Sequence, residues 1–157
     1  IGRQHGSVPF ALVLVHGPDE KKNEWARRTA AGVLLTHEMR SIMNDDPYRG
    51  CLLRLLDFGY GQPGTRVFNY WERDVPVRIE GSETTALVLS KPGNAMVIVC
   101  DYGGGGHLTL EVDRRALNLG PEFTARDVET GEALTAGGSR VAFSLKRHDF
   151  RMIHLRE

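Results

Sequence analysis

The pattern of apolar and polar positions changes character near residue 75. Before it, continuous apolar runs alternate with stretches of helical period. Pro9 to Val15 is apolar throughout and rich in β-formers, which predicts a short strand buried between layers and ending at His16-Gly17-Pro18. Asp19 then caps a predicted helix through Trp25 and Ala30, with Glu20 in its first turn and Gly32 at its end. Val33 to Thr36 reads as a second short strand, stopping at His37-Glu38. The alternative is a single helix from Glu24 to Met43, because Ala31, Leu34, Leu35, Met39 and Ile42 lie near one face. Gly32 would cost that helix about 1 kcal/mol. Asp46 and Pro47 next read as a helix cap and first helical position. Leu52, Leu53, Leu55 and Leu56 form its apolar face, Gly59 ends it, and residues 59–64 are a loop by composition.

After residue 75 the segments are short and alternate. Pro76 to Glu80, Thr85 to Ser90, Ala95 to Cys100, His107 to Val112, Phe123 to Val128, Ser139 to Leu145 and Phe150 to Leu155 all read as strands. Ala95 to Cys100 is apolar on both faces, as a central strand should be. Leu108, Leu110 and Val112, with Val141, Phe143 and Leu145, are expected in one core between two sheets. Lys91-Pro92-Gly93-Asn94, Glu129-Thr130-Gly131-Glu132 and Ala136-Gly137-Gly138 are turn signals. The expected fold is mainly β: an antiparallel β-sandwich over 75–157, preceded by a short α/β segment over 1–74.

Strand–helix–strand–helix in the first part supplies too few strands for an open α/β sheet. The segment resembles the last quarter of a (β/α)8 barrel whose other strands lie elsewhere, the alternative being a small α/β cap folded onto the sandwich.

Three stretches carry a further resemblance. They are Ala125-Arg126-Asp127-Val128-Glu129-Thr130-Gly131-Glu132, the closing Arg147-His148-Asp149-Phe150-Arg151-Met152-Ile153, and Phe68-Asn69-Tyr70-Trp71 upstream. Together they resemble the C-terminal region of glycoside hydrolases such as α-galactosidases and α-amylases, in which an Asp-x-x-Thr-Gly-Glu-like hairpin precedes a last strand packed under the barrel. The resemblance implies a C-terminal portion of a glycoside hydrolase, its sandwich bracing the catalytic barrel and this chain alone being inactive. A stand-alone carbohydrate-binding or structural module is the alternative. The implied partners are carbohydrate and either the missing N-terminal barrel or, through residues 10–36, a second copy of the chain.

Composition narrows the classes. Lys plus Arg and Asp plus Glu number 20 each, so no global field would hold nucleic acid or an anionic membrane. No apolar run approaches the ~20 residues of a membrane-spanning helix. Cys51 and Cys100 lie in apolar surroundings outside any CxxC pattern and read as two buried free thiols, a disulfide being the alternative. Residues 1–6 lack an initiator Met and an apolar signal core, which leaves the compartment open.

Candidate chemistry follows from strand ends, where (β/α)8 enzymes carry their reactive groups. His16 follows the first predicted strand and His37-Glu38 the second. Glu38 is the candidate catalytic carboxylate, with His16 and His37 as candidate partners for sugar hydroxyls. Asp19, Asp57, Glu72 and Asp74 are available as a second carboxylate, but no spacing selects one. Tyr60, Tyr70 and Trp71 are candidates for stacking on a pyranose ring, although Trp71 would equally pack at the junction of the two parts. No cofactor or metal is expected. His37-Glu38 lacks the second His of a zinc motif, and Gly103 to Gly106 lacks the Lys-Ser/Thr and helix of a phosphate loop, reading instead as a hairpin loop. Arg147, His148 and Arg151 read as a solvated basic edge.

Overall fold

The computed structural model describes residues 10–41 and 47–157. Nine strands form a single curled sheet in which every neighbouring pair is antiparallel. They are β3 (Arg66–Asn69), β4 (Val77–Glu80), β5 (Thr84–Lys91), β6 (Asn94–Asp101), β7 (Gly106–Val112), β8 (Thr124–Asp127), β9 (Ala133–Gly137), β10 (Arg140–Leu145) and β11 (Phe150–Arg156). Their spatial order is β3-β5-β6-β11-β8-β9-β10-β7-β4. The curl brings its two halves over a common core. Val88, Val97, Val99, Ile153 and Leu155 from one half share a cluster with Leu108, Leu110, Val112, Val141, Phe143 and Leu145 from the other. The six alternating residues expected inside are therefore inside. Val141 lies opposite Leu110 and Phe143 opposite Leu108 in the β10–β7 ladder.

Strands β5, β6 and β11 are apolar on both faces because both are covered. Their second set, including Leu87, Leu89, Met96, Ile98, Cys100, Phe150 and Met152, packs under two helices. These are α1 (Glu20–Thr36) and α2 (Tyr48–Phe58), which contribute Ala31, Leu34 and Leu35, and Tyr48, Cys51 and Leu55. Cys51 and Cys100 are buried and form no disulfide, and burial pushes the Cys100 thiol up to about 12.

The front of the chain departs from expectation at its second strand. Val33 to Thr36 is the last turn of α1, so the helix runs through Gly32 instead of stopping there. Gly32 is a packing position: a Cβ there would lie 2.7 Å from Cys100 Sγ and 2.8 Å from Phe150 Cβ. Its missing side chain lets the helix lie close to β6 and β11, and the burial gained outweighs the helix propensity lost. Asp19 caps the helix as expected, accepting from the backbone N–H groups of Lys21 and Lys22.

A parallel strand pair nevertheless exists. β1 (Phe10–Ala11) pairs in parallel with β2 (Arg40–Ser41), and α1 is the crossover between them. Strand–helix–strand–helix is thus the observed order, with the second strand shifted beyond the helix. The regular part of the first strand is two residues long, not the whole apolar run. Pro9, Met43 and the cap at Asp46 lie outside the described residues. Gly59 ends α2 in the left-handed conformation at φ 109°.

Two strands escaped the sequence pattern. β3 is an edge strand paired with β5, so the sheet takes in residues upstream of position 75. β9 carries one large apolar residue, Leu134, and is held by ladders to β8 and β10. Gly103 to Gly106 is not a hairpin loop, because β6 and β7 do not pair; it carries the chain from one half of the sheet to the other. Among the described residues no helix is long and apolar enough to cross a membrane.

Gly32→Val is expected to destabilise the chain by about 2–3 kcal/mol, since the added atoms meet a packed strand pair. Urea unfolding followed by circular dichroism measures it. An unchanged midpoint would mean that α1 does not approach the sheet this closely.

Candidate functional site

The predicted site residues fall into three places. His16 is exposed in the connection between β1 and α1. His37 and Glu38 follow the last turn of a helix and precede β2, so they do not stand at the end of a strand, the position that suggested them. Tyr60 follows α2, and Tyr70 and Trp71 follow β3.

The structure joins His37 to Tyr70 and Trp71. The His37 ring is buried, and its Nδ1 donates to the Val33 carbonyl at 2.8 Å. That bond leaves Nε2 as an acceptor, and the Tyr70 hydroxyl donates to it at 2.8 Å. Tyr70 packs edge-on against both His37 and Trp71, at ring separations of 5.2 and 4.9 Å. Burial raises the Tyr70 hydroxyl above its ordinary range.

Glu38 pairs elsewhere. It adopts a left-handed backbone at φ 53°, and its Oε1 accepts from the Tyr60 hydroxyl at 2.6 Å. Burial and the neighbouring carboxylate both hold that hydroxyl protonated. Arg40 lies over the Tyr60 ring at 5.3 Å. The space beside Glu38 measures only about 10 Å3, which is no more than room for one water. That enclosed space is too small for a sugar ring. The two sets brace the exit from α1: each is a helix-end residue held by a tyrosine from another element.

A larger polar assembly lies at the middle of α1, and the sequence reading missed it. Arg28 reaches from the helix to Glu129 in the β8–β9 turn, at 3.2 and 3.1 Å from Nη1 and Nη2, and to Asp149 before β11, at 2.5 Å from Nε. Nη2 also donates to the Phe150 carbonyl, and the guanidinium stands 4.6 Å over the Phe150 ring. Arg28 thus spends its fork on two carboxylates and a carbonyl, a set that Lys cannot reproduce.

The Asp127-to-Glu132 hairpin is organised around a buried carboxylate. Asp127 accepts from the N–H groups of Glu129 and Thr130 at 2.8 and 2.7 Å, and Arg151 Nε stands 2.9 Å from its other oxygen. Arg151 also reaches Glu132 at 3.2 Å. It is therefore not on a solvated basic edge; its side chain is only 18% exposed. Sequence spacing shows the Asp127 turn, because those bonds are local. The Arg151 contact depends on the β11–β8 register, which sets Ile153 opposite Asp127 and so brings Arg151 diagonally beside it.

Among the described residues no group of three or more His, Cys, Asp or Glu is arranged to hold a metal. No protein-family model and no curated protein matches the chain. Solved structures that share its fold over part of their length include the wild-type GH27 β-L-arabinopyranosidase from Geobacillus stearothermophilus and a variant of it in complex with arabinose. Each is 15% identical with a TM-score of 0.50, covering 83% of this chain and 30% of the other. The chain therefore spans less than a third of the length of the enzymes whose fold it shares.

Arg28→Ala leaves Glu129 and Asp149 without their cation and is expected to cost about 2–3 kcal/mol, with Arg28→Lys recovering only part. Denaturant titration of the three proteins checks this. A loss under about half a kcal/mol would reduce the assembly to an ordinary surface ion pair.

Proposed function

We propose that this chain is the C-terminal portion of a glycoside hydrolase. In this reading the curled sheet is a β-sandwich bracing a (β/α)8 barrel, and β1-α1-β2-α2 within residues 1–74 is the barrel's end. The observation that carries it is one-sided cover on the first apolar run. Ala11 and Val13 pack against the helix-side core, whereas Phe10, Leu12 and Leu14 are 59%, 61% and 69% exposed. A parallel pair joined by a helix, with its other face bare, is what one end of a barrel looks like without its remaining strands. Leu53 and Leu56, three apart on α2, are also half exposed. At about 25 cal/mol per Å2, covering each such side chain is worth roughly 1–2 kcal/mol. The fold shared with part of a β-L-arabinopyranosidase supports the same class, and the substrate is taken no further than a glycoside.

This reading moves the chemistry away from Glu38. Barrel active sites open at the C-terminal ends of the strands. In chain order one of those ends is the segment after β1, which contains His16. Helix-to-strand connections such as His37–Met39 belong to the opposite, stabilising end. His16 is accordingly kept as a substrate-lining residue. Glu38, His37, Tyr60, Tyr70 and Trp71 are assigned to bracing the barrel end. A stand-alone carbohydrate-binding or structural module has in its favour two cores that close without a partner, but it leaves the Phe10-Leu12-Leu14 face unexplained.

Two measurements test the proposal. The coding sequence upstream of Ile1 is expected to carry most of a barrel of about 250 residues in alternating strand and helix signals. The isolated chain is expected to sediment above its 17.5 kDa monomer mass by self-association through the bare face, and Leu12→Ser with Leu14→Ser should return it to monomer. A monodisperse wild-type monomer without barrel signals upstream would favour the stand-alone module. The chain alone should not turn over aryl glycosides; turnover abolished by Glu38→Gln would restore Glu38 as the catalytic carboxylate.

A further inference from the structure

The groove beside the Arg28 assembly encloses about 710 Å3, between α1, the β8–β9 turn and the β10–β11 connection. Its arginines are paired, and carboxylates are in excess around them. Arg28 is taken by Glu129 and Asp149, and Arg151 by Asp127 and Glu132. Glu24 and Lys146 add one charge of each sign. On the far wall, Ser144 Oγ and His107 Nδ1 stand 2.9 Å apart in a hydrogen bond. A surface dense in fixed donors and acceptors, with carboxylates in excess, turns anions away and offers acceptors to the hydroxyls of a neutral polar ligand.

An aromatic platform neighbours the groove residues along the chain. Trp25 follows Glu24, and the two residues it touches, Arg147 and His148, lie between the groove residues Lys146 and Asp149. The indole is 46% exposed yet immobilised. Its Nε1 donates to the Arg147 carbonyl at 2.9 Å, and its ring stacks on His148 at 5.8 Å with planes 6° apart. An indole already fixed loses little further freedom when a second flat or apolar face lies on it. A pyranose has such a face, ringed by hydroxyls that both donate and accept.

We propose that this groove is a non-catalytic saccharide-binding site, with Trp25 as the platform for a neutral pyranose and Glu24, Lys146 and the Arg28 assembly as partners for its hydroxyls. It rests on the carbohydrate reading above only for the class of ligand. None of His16, His37, Tyr70 and Trp71 lines the groove, so binding here would hold substrate to the protein without taking part in bond cleavage.

Native affinity electrophoresis of the full chain through gels containing arabinan, galactomannan, xylan or hydroxyethyl cellulose tests it. Isothermal titration with hexasaccharides of any polymer that retards the chain would then give the affinity. Retardation by at least one neutral polymer is expected, weakened about tenfold or more by Trp25→Ala. Glu24→Ala and Lys146→Ala should each weaken it without moving the thermal midpoint; being exposed, they decide the matter if Trp25→Ala fails to fold. Retardation by none of the four polymers would overturn the site while leaving the barrel reading to its own tests. Retardation that survives Trp25→Ala but is lost in Trp71→Ala would also overturn it, moving binding to the Tyr70–Trp71 cluster.

Discussion

The close approach of α1 to β6 and β11 at Gly32 is the constraint on which the rest of the structure depends. Strands β5, β6 and β11 carry apolar side chains on both faces, so the sheet cannot stand with only its inner core filled. The helix supplies the second cover, and it can lie flush because position 32 projects no side chain toward Cys100 and Phe150. A larger residue would lift the helix and separate Ala31, Leu34 and Leu35 from the strands beneath them.

Polar contacts then fix the orientation that apolar packing leaves free. Along the first half of α1, Trp25 and Arg28 bond to the segment before β11 and to the β8–β9 turn. At its C-terminal end, His37 and Glu38 are held by Tyr70 and Tyr60, which come from after β3 and after α2. The helix is therefore tied along its first half and at its C-terminal end to different parts of the chain. The direction of the β1–β2 pair relative to the sheet follows from those ties, because α1 is the crossover between the two strands. If the pair belongs to a barrel, the sheet reaches that barrel through a rigid helix and not through a flexible linker.

The two faces of the Phe10–Val15 run then acquire distinct meanings. One face is part of the helix-side core, and the other leaves Phe10, Leu12 and Leu14 exposed. The groove beside the Arg28 assembly is different in kind: its arginines are paired and the neighbouring Trp25 ring is pinned, which suits a reversible polar ligand better than permanent burial.

Several features were determined by the sequence alone, because they depend on local periodicity or local bonds. Strict alternation at Leu108, Leu110, Val112 and at Val141, Phe143, Leu145 assigned those side chains to the core. Asp19 marked a helix start and Gly59 a helix end. Two-sided apolarity marked β6 as central. Tertiary structure decided what distance in sequence conceals. Val33 to Thr36 has strand-forming residues but is helical, since the sheet below offers its cover to a helix passing at Gly32. β9 forms from a weak segment because strands already stand on both sides of it. Arg28 finds partners 101 and 121 residues away, and Arg151 finds Asp127 through strand register. Glu38 shows the difference most directly. Its position was legible as the end of an element, but whether that element was strand or helix, and hence which end of the unit it occupies, depended on contacts no local pattern encodes.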